Sequence, residues 1–255
     1  MRVLVTNDDG VHAPGILELA GAMVKDGHDV VVAAPLIDMS GSGAALGPGH
    51  SSGVAIERFE LDGLADVPVY GVDGPPGMAV MAAHLGAFGD RPDVIASGIN
   101  LGGNTGRSVL FSGTVGAALA AANFGLKGVA VSQVSGDPWH LATAGAFGAA
   151  AVAWVAAAPA RTVLNVNVPN LPLAQVRGVQ SATLAMFGVV RTVLEGTEGN
   201  RLQLVLRDTD EELEPGSDSA LVRGGFVAVT SLVGPRAVDP LDAVPALERV
   251  VLSRG

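Results

Sequence analysis

The chain has 255 residues, 49 % of them hydrophobic and 16 % charged, so it can bury a large core and is not expected to be disordered. Its 25 acidic and 15 basic residues give a net charge of −10, which argues against binding to long nucleic acids, since that requires Lys and Arg to neutralise phosphates. The absence of cysteine excludes disulfides, thiolate metal sites and cysteine nucleophiles.

The first half of the chain alternates short apolar runs with helical patterns, as parallel βαβ units do. Apolar residues from Ile16 to Val24 recur at helical spacing, and Gly27 is positioned to end that helix. The apolar stretch Leu141 to Ala160 is rich in Ala and Gly, which favours a packed helix over a membrane span. Predicted strands are Arg2 to Thr6, Asp29 to Ala34, Val67 to Val72, Val94 to Ser97, Gly128 to Ser132 and Val163 to Val168. We therefore predict an α/β fold: a Rossmann-like, three-layer, doubly wound and mostly parallel sheet.

The pattern changes after Pro169. Val189 to Leu194 and Arg201 to Leu206 alternate in a strand-like way around a turn containing Gly196, Gly199 and Asn200, which predicts a long C-terminal β-hairpin. Such a hairpin commonly pairs with another subunit. We interpret residues 1–255 as a single domain, with a core at 1–170 and a β-rich oligomerisation extension at 171–255. The Gly/Ser-rich stretch Ser40 to Gly53 follows a strand and is interpreted as a ligand loop or lid.

Polar residues follow the first predicted strand in Thr6-Asn7-Asp8-Asp9-Gly10. Doubly wound sheets bind ligands outside the carboxyl ends of their strands. Two adjacent carboxylates repel each other there unless a hard cation such as Mg²⁺ or Mn²⁺ lies between them. The alternative is a tight polar turn in which one Asp caps the following helix, and the segment alone does not decide between the two.

Two later segments also follow predicted strands or begin helices. Asn100, in Ser97-Gly98-Ile99-Asn100, offers a neutral oxygen ligand, and Asn104 offers amide donors to a phosphate. Phe111-Ser112-Gly113-Thr114-Val115 opens an Ala-rich helix whose N–H groups and hydroxyls suit a phosphate. The alternatives are a Gly/Asn-rich turn without a ligand and an ordinary Ser/Thr helix cap.

In this order, the segments resemble the SurE survival proteins, a family of metal-dependent nucleoside monophosphate phosphatases. The resemblance is carried by Val5 to Gly15, by Ser97 to Asn100 with Asn104 and Gly106, and by Ser112 to Val115. Leu164 to Pro169 and Gly225 to Leu232 add support. It covers nearly the whole chain.

The resemblance implies one divalent metal ion per subunit, Mg²⁺ or Mn²⁺ with Ca²⁺ also compatible, held by Asp8, Asp9, Ser40 and Asn100. From the residues alone, Ser42, Ser51 and Ser52 are equal candidates for the place of Ser40. The catalytic residues implied are Asp8 and Asp9, one of which orients or deprotonates a metal-activated water. The phosphate is implied to bind Asn104, Ser112, Gly113 and Thr114.

The implied substrates are nucleoside 5′- or 3′-monophosphates and short polyphosphate, and the implied assembly is a homodimer or homotetramer. Two positions depart from the family pattern: Met78 stands in a segment that is usually polar, and Ala120 replaces a usual acid. These changes raise the alternative of a catalytically weakened protein that binds nucleotide or metal. His12 is a candidate acid for the leaving group, although a His that starts a helix is more often structural.

Other enzyme classes fit less well. Asp208-Thr209-Asp210 has the spacing of an aspartyl-phosphate phosphatase, but the acidic residues after it favour a solvated hairpin end. Leu110 stands where a hydrolase nucleophile elbow around Ser112 needs Gly. A dinucleotide-binding fingerprint is absent after the first strand. With no signal peptide evident in the first residues, we expect a cytoplasmic protein that does not bind membranes.

Overall fold

The computed structural model describes residues 1–47, 53–209, 212–237, 244, 247 and 248. Strands and helices alternate through the first two thirds of the chain, and strands dominate the rest. The strands are β1 Arg2–Thr6, β2 Asp29–Pro35, β3 Ile56–Phe59, β4 Val69–Val72, β5 Val94–Leu101, β6 Lys127–Gln133, β7 Val163–Val168, β8 Val179–Ser181, β9 Val190–Glu198, β10 Arg201–Asp208 and β11 Val227–Leu232. The helices are α1 Pro14–Lys25, α2 Pro76–His84, α3 Gly113–Asn123, α4 Leu141–Ala157 and α5 Asp218–Arg223, with 3₁₀ turns at Gly106–Phe111 and Leu173–Gln175.

Nine strands form one sheet in the order β3-β4-β2-β1-β5-β6-β7-β11-β8. From β4 to β7 all neighbours are parallel, whereas β3 and β11 run antiparallel to β4 and β7. Helices α1 and α4 pack on one face, and α2 and α3 pack on the other. This arrangement confirms the predicted three-layer, mostly parallel α/β fold.

Alternating side chains of the central strands bury both faces of the sheet. Val3 and Val5 of β1 face the cluster under α1 and α4, whereas Leu4 faces the cluster under α2 and α3. Strands buried on both sides are usually rich in apolar residues, as in Val3 to Val5 of β1 and Val30 to Ala34 of β2. Helix α1 ends as predicted, because Gly27 adopts φ +78° and donates to the carbonyl of Val24.

Successive strands are added to one side of β1 first and then to its other side, and this change determines where a ligand fits. From β1 the chain moves through α1 to β2 on one side, and it returns through α2 to β5 on the other side of β1. The loops after β1 and β5 therefore separate at the carboxyl edge of the sheet and leave a crevice between them. The Asp8–Asp9 and Asn100 segments flank this crevice.

Several boundaries differ from the sequence-based prediction. Strand β3 was not predicted; its Glu57 and Arg58 are exposed at the edge of the sheet, so it lacks a buried apolar pattern. Strand β5 continues beyond Ser97 to Leu101, with a shift in its register against β6 after Ser97. Gly98 and Asn100 lie at this shift, and both residue types are typical of turns, so the sequence alone predicted that the strand ends earlier.

The predicted C-terminal hairpin is present as β9 and β10, which pair only with each other among the described strands. Its turn is Gly199-Asn200, with Gly199 at φ +56°, whereas Gly196 lies within β9 beside a bulge. Strands β8 and β11 belong to the main sheet although they lie in the segment assigned to the extension. Among the described strands after residue 170, the hairpin strands are thus the ones that do not join the main sheet. No helix in the described ranges is both long enough and apolar enough to cross a bilayer.

Candidate active site

The turn after β1 places two carboxyl groups at the crevice. Asn7 is fully buried and closes this turn, because its side chain donates to the carbonyl of Gly10 at 2.9 Å and accepts from the Gly10 N–H at 3.2 Å. Gly10 adopts φ +104°, a conformation that L side chains rarely take. The closed turn leaves Asp8 and Asp9 adjacent and directed away from the strand, as their positions at the strand end predict.

Asp8 lies against the first turn of α3. Its side chain is 3 % exposed, and the Thr114 hydroxyl donates to its Oδ1 in a short hydrogen bond. Burial raises the pKa of Asp8, and the hydrogen bonds from the Thr114 hydroxyl and from the N–H groups of Asp8, Thr114 and Gly113 oppose that rise. The Asp8 carboxylate is therefore oriented by the start of α3, where the helix dipole favours negative charge.

Gly113 permits this close approach. A Cβ added there would lie 2.7 Å from the Asp8 Cβ, 2.7 Å from Asp8 Oδ2 and 2.7 Å from the Ser42 hydroxyl. Such distances are shorter than van der Waals contact, so any side chain at 113 would displace the carboxylate or the loop after β2. The glycine that the sequence suggested as a phosphate contact thus has a clear steric role towards Asp8.

Asp9 is half-buried, and its Oδ2 atom has no hydrogen-bond partner in the described structure. Burial raises the pKa of Asp9 to about 6, and repulsion from the Asp8 and Asp38 carboxylates contributes to the rise. Asp38 was not identified from the sequence, because only the folded loop after β2 brings it towards Asp9. A cation beside Asp9 would offset the repulsion between these carboxylates.

Asn100 joins the same group. Its Oδ1 lies 3.3 Å from the Thr114 hydroxyl, and its Nδ2 donates to the carbonyl of Gly102 at 2.7 Å. The amide oxygen is thereby directed towards the start of α3 and Asp8. Gly15 allows α1 to pack directly on β5, since a Cβ at this position would lie 1.9 Å from the carbonyl oxygen of Ile99.

Ser40 lies on the loop after β2, which is attached to the site by the bond from the Met39 N–H to the Asp8 carbonyl at 2.7 Å. Ser40 is exposed, and its N–H donates to the Asp38 carboxylate at 2.7 Å. The Ser42 hydroxyl is buried without a partner on the side of this loop that faces Gly113. The structure therefore leaves both serines as neighbours of the site, whereas Ser51 and Ser52 lie outside the described residues.

The other residues predicted to bind phosphate have defined partners. The Ser112 hydroxyl accepts the Val115 N–H at 3.1 Å, so it caps α3 as the simpler interpretation expected. The half-buried Asn104 donates one amide N–H to the Ser132 hydroxyl at 2.8 Å. These contacts fix Ser112 and Asn104 near the carboxyl edge of β5 and β6, and their roles towards phosphate remain predictions.

The aromatic contact of His12 is with a residue of β3. It is exposed, and its ring packs edge-on against Phe59, with 5.0 Å between the ring centroids. This contact favours the structural role of His12 over that of an acid for the leaving group.

Sequence reasoning missed two buried side chains of β7. Asn165 and Asn167 are fully buried and bind the main chain of Asn104. The available signal was the alternation of asparagine with apolar residues in Leu164-Asn165-Val166-Asn167-Val168. A buried polar side chain is costly without partners, so this pattern indicates specific hydrogen bonds.

The arrangement fits a hard divalent cation. Two carboxylates, the amide oxygen of Asn100 and hydroxyls on the loop after β2 supply the oxygen ligands that Mg²⁺ and Mn²⁺ prefer. Asp9 Oδ2 is also buried without a donor, which is unfavourable unless a cation or proton occupies its lone pairs. No group of three or more His, Cys, Asp or Glu side chains suited to a metal occurs in the described residues, so neutral oxygens would have to complete the shell.

Comparison with known proteins identifies the family of this chain. The family model described as survival protein SurE matches residues 3–189. Over 91 % of both chains, this protein is 38 % identical to the 5′-nucleotidase SurE of Solidesulfovibrio magneticus. It is 36 % identical to that of Alkalilimnicola ehrlichii over 98 % of this chain and 94 % of the relative. The SurE crystal structure from Aquifex aeolicus superposes with a TM-score of 0.79 at 25 % identity, covering 98 % of this chain and 100 % of that one. The chain therefore belongs to the SurE family.

Proposed function

We propose that this protein is a divalent-metal-dependent nucleotidase that hydrolyses nucleoside 5′- or 3′-monophosphates to nucleoside and phosphate. That the chain is an enzyme of the nucleotidase class follows from relatives named 5′-nucleotidase SurE at 36–38 % identity over most of its length. Metal-dependent hydrolysis of monophosphates is supported by the pair Asp8–Asp9 at the crevice. Asp9 Oδ2 has no hydrogen-bond partner, and Asp8 is held by the start of α3.

The metal would be held by Asp8, Asp9, Asn100 and a hydroxyl of the loop after β2, with Ser40 as the predicted ligand. When bound, Mg²⁺ or Mn²⁺ would supply Lewis acidity, which neutralises charge on the phosphoryl oxygens and favours ionisation of water. Ca²⁺ has the same preference for oxygen ligands.

We assign different roles to the Asp8 and Asp9 carboxylates. The Asp8 carboxylate is fixed by the Thr114 hydroxyl and the N–H groups at the start of α3, so it acts as a rigid ligand. Asp9 has one carboxylate oxygen without a donor, which would hold the cation, and its other carboxylate oxygen would orient the attacking water and accept its proton. The distinction favours Asp9 over Asp8 as the base, a choice that the sequence left open.

The phosphate would lie beside α3 and the Asn104 loop. Asn104 keeps one amide N–H and its Oδ1 beyond the bond to Ser132, and the Ser112 hydroxyl keeps its own proton, since it accepts from Val115. Gly113 lets the start of α3 approach Asp8 closely, which would bring the helix N–H groups near a phosphate bound at the carboxylates. Donors placed in this way stabilise charge that develops on the phosphoryl group in the transition state.

A groove of about 400 Å³ runs along α3 beyond this region. Leu46, Leu110, Leu119, Ala120 and Phe124 contribute apolar surface to it. An apolar groove beside a phosphate site suits the base of a nucleotide, whereas short polyphosphate would leave it empty. We therefore place nucleoside monophosphates ahead of short polyphosphate as substrates.

The alternative of a catalytically weakened binding protein rested on Met78 and Ala120. Both side chains are buried in the apolar cluster between the sheet, α2 and α3. Apolar residues are suited to that environment, and neither is among the residues that contact the carboxylates. Their positions favour activity over the weakened alternative.

The test is phosphate release from a panel of nucleoside 5′- and 3′-monophosphates and short polyphosphate, each with Mn²⁺, Mg²⁺ or EDTA. Asp9→Asn is compared with Asp26→Asn, an exposed Asp at the end of α1. We expect metal-dependent release that Asp9→Asn lowers at least ~100-fold and Asp26→Asn leaves unchanged. Release that persists in EDTA or in Asp9→Asn would contradict the mechanism. Metal binding without release from any substrate would establish the binding-protein alternative.

A further inference from the structure

Strand β7 carries an unusual pair of side chains. Its apolar residues Leu164, Val166 and Val168 face the core under α1 and α4. The alternate residues Asn165 and Asn167 point to the opposite face, and both are 0 % exposed. Burying a carboxamide without partners costs about 1 to 3 kcal/mol in proteins, so these two positions are expected to make bonds that a hydrophobic residue could not.

Both carboxamides bind one peptide unit on a neighbouring loop. Asn165 Nδ2 donates to the carbonyl of Asn104 at 2.8 Å, and Asn167 Nδ2 donates to the same oxygen at 2.9 Å. Asn167 Oδ1 accepts the N–H of Asn104 at 2.8 Å. The N–H and C=O of Asn104 are therefore satisfied by side chains rather than by a strand or helix.

The loop needs such support because its glycines allow many backbone conformations. It begins with Gly102 at φ +147° and reaches Gly106 at φ +66°, on either side of Gly103 and Asn104. Ser132 of β6 binds the Asn104 side chain at 2.8 Å and restricts its rotation. Strands β6 and β7 together thus determine both the backbone position and the side-chain direction of Asn104.

We propose that Asn165 and Asn167, the asparagine clamp, are positioning residues that hold Asn104 so that its remaining amide groups face a bound phosphate. This inference rests on the proposed phosphatase function and concerns residues that do not touch the reacting atoms. Without the clamp, the glycine-rich loop samples other conformations, and the Asn104 amide loses its alignment with the phosphate.

The experiment uses the full chain with saturating Mn²⁺ and four single variants. Asn165→Leu removes one donor to the Asn104 carbonyl and keeps the side-chain shape, and Asn167→Leu also removes the acceptor for the N–H. Thr230→Val is the matched control, since Thr230 is 5 % exposed on β11, pairs with Asn165 in register and has an unpartnered hydroxyl. Asn104→Ala removes the positioned group itself.

Turnover, binding of inorganic phosphate and binding of Mn²⁺ are measured separately for each protein. We expect Asn165→Leu to lower kcat/KM about 10- to 100-fold, mainly through kcat, because misplacing a contact to the transition state has effects of this size. The Kd for inorganic phosphate should rise about 10-fold, while the Kd for Mn²⁺ stays within about 3-fold. Thr230→Val should change none of these values more than about 2-fold.

A double variant separates positioning from general damage to the fold. If the clamp acts through Asn104, Asn165→Leu should cause no further loss of kcat/KM in the Asn104→Ala background. An equal loss in both backgrounds, or a parallel loss of Mn²⁺ binding, would overturn the inference. If Asn167→Leu does not fold, the milder Asn165→Leu still decides the question.

The phosphate measurement keeps this test independent of turnover. If the native protein releases no phosphate from any ester but binds inorganic phosphate, the proposed function fails and the clamp is judged on binding alone. Weaker binding in Asn165→Leu but not in Thr230→Val would then support the clamp, and unchanged binding would overturn it. A native protein that neither releases phosphate from any ester nor binds inorganic phosphate would overturn both.

Discussion

At the scale of single residues, the electrostatics of Asp8 and Asp9 govern the site. Both carboxyl groups have raised pKa values because they are buried, and the charge of Asp8 further raises the pKa of Asp9. In the metal-free protein, ionisation of Asp9 therefore opposes folding. A bound cation has the reverse effect, since it stabilises the ionised pair.

The first prediction concerns Asp9→Asn in EDTA. The pKa of Asp9 is about 6 in the folded protein and 3.8 in its reference state. Because the folded pKa is the higher one, the stability that Asp9 contributes is fully present below pH 3.8 and is lost as the pH rises through about 6. Removing the charge should therefore stabilise the metal-free protein at pH 7.5 by about 1 to 2 kcal/mol, after allowance for partial exposure.

Thermal unfolding in EDTA at pH 4.5 and pH 7.5 measures this effect. The advantage of Asp9→Asn over the native protein should shrink at the lower pH. With Mn²⁺ present the order should reverse, because only the native protein gains binding energy. A variant that is less stable than the native protein in EDTA at pH 7.5 would contradict the assigned charge repulsion.

The second prediction compares two helical glycines. Gly113→Ala introduces a Cβ at 2.7 Å from Asp8 and the Ser42 hydroxyl, whereas a Cβ at Gly21 of α1 meets no atom within 4 Å. Alanine is a better helix former than glycine by about 1 kcal/mol, so Gly21→Ala should stabilise the protein by about 0.5 to 1 kcal/mol with normal activity. Gly113→Ala should lower the melting temperature and reduce phosphate release at least about 10-fold.

Unfolding curves and rates for the pair test that comparison. Equal behaviour of the two variants would show that the site tolerates displacement of Asp8. A stable Gly113→Ala protein that lost only activity would instead indicate that the loop after β2 moves, rather than the carboxylate.

The residues of the site were predictable to different degrees. Asp8, Asp9 and Asn100 follow predicted strands, so the rule that ligands bind at the carboxyl edge made them candidates. The resemblance to the SurE proteins then implied that they are metal ligands, which stays a prediction. Ser40 and Ser42 lie on a Ser/Gly-rich loop whose position depends on contacts distant in sequence, including the bonds from the Met39 N–H to the Asp8 carbonyl and from the Gly43 N–H to the Phe111 carbonyl. Asp38 acts across the fold, and no local pattern indicates its contact with Asp9. The alternation of asparagine with apolar residues in β7 indicates that Asn165 is hydrogen-bonded, but it does not identify the partner.

At the scale of elements, apolar periodicity identified the parallel strands because both of their faces are buried. It missed β3, an exposed antiparallel edge strand with charged residues. It identified the hairpin and a turn that includes Gly199 and Asn200, but it made the turn too wide, since Gly196 lies in β9 beside a bulge that only the pairing of β9 with β10 reveals.

The hairpin presents a leucine face that the described chain does not cover. Leu194, Leu202, Leu204 and Leu206 are 58–71 % exposed, and Leu194 pairs directly with Leu204. A two-stranded ribbon without a third strand or a packed face is only marginally stable in water. We expect the leucine face to pack against another copy of the chain in a homodimer or homotetramer, the assembly implied by the sequence.

The third prediction is that Leu204→Glu shifts the assembly towards smaller species. Each buried leucine contributes about 1.5 to 3 kcal/mol, and a two-fold contact loses two of them, so the association constant should fall at least ~100-fold. Sedimentation velocity over a range of concentrations measures this. Leu85→Glu is the control, because Leu85 is 73 % exposed at the end of α2 and far along the chain from the hairpin.

A monomeric native protein, or an unchanged assembly in Leu204→Glu, would show that the leucine face is not the contact. Dissociation in both variants would indicate a general effect of added charge rather than loss of a specific interface.

At the scale of the whole molecule, the reversal of the sheet at β1 and the excess of acidic residues act together. The reversal opens the crevice between the β1 and β5 loops. The net charge of −10 means that the protein as a whole repels anions at long range, and a phosphate monoester is itself an anion. The same field is expected to favour the proposed ligand, a mononucleotide with a cation, over a long nucleic acid.

The last prediction follows from the screening of that field. The Debye length falls from about 30 Å at 0.01 M salt to about 10 Å at 0.1 M, so distant acidic residues cease to repel the substrate while the contacts inside the site are little affected. At saturating Mg²⁺, kcat/KM should therefore rise about 2- to 5-fold over this range, and kcat at saturating substrate should stay constant. Initial rates with a nucleoside monophosphate at several NaCl concentrations measure both quantities. A fall in kcat/KM with added salt would mean that the local positive potential of the metal site, and not the charge of the whole protein, governs the approach of the substrate.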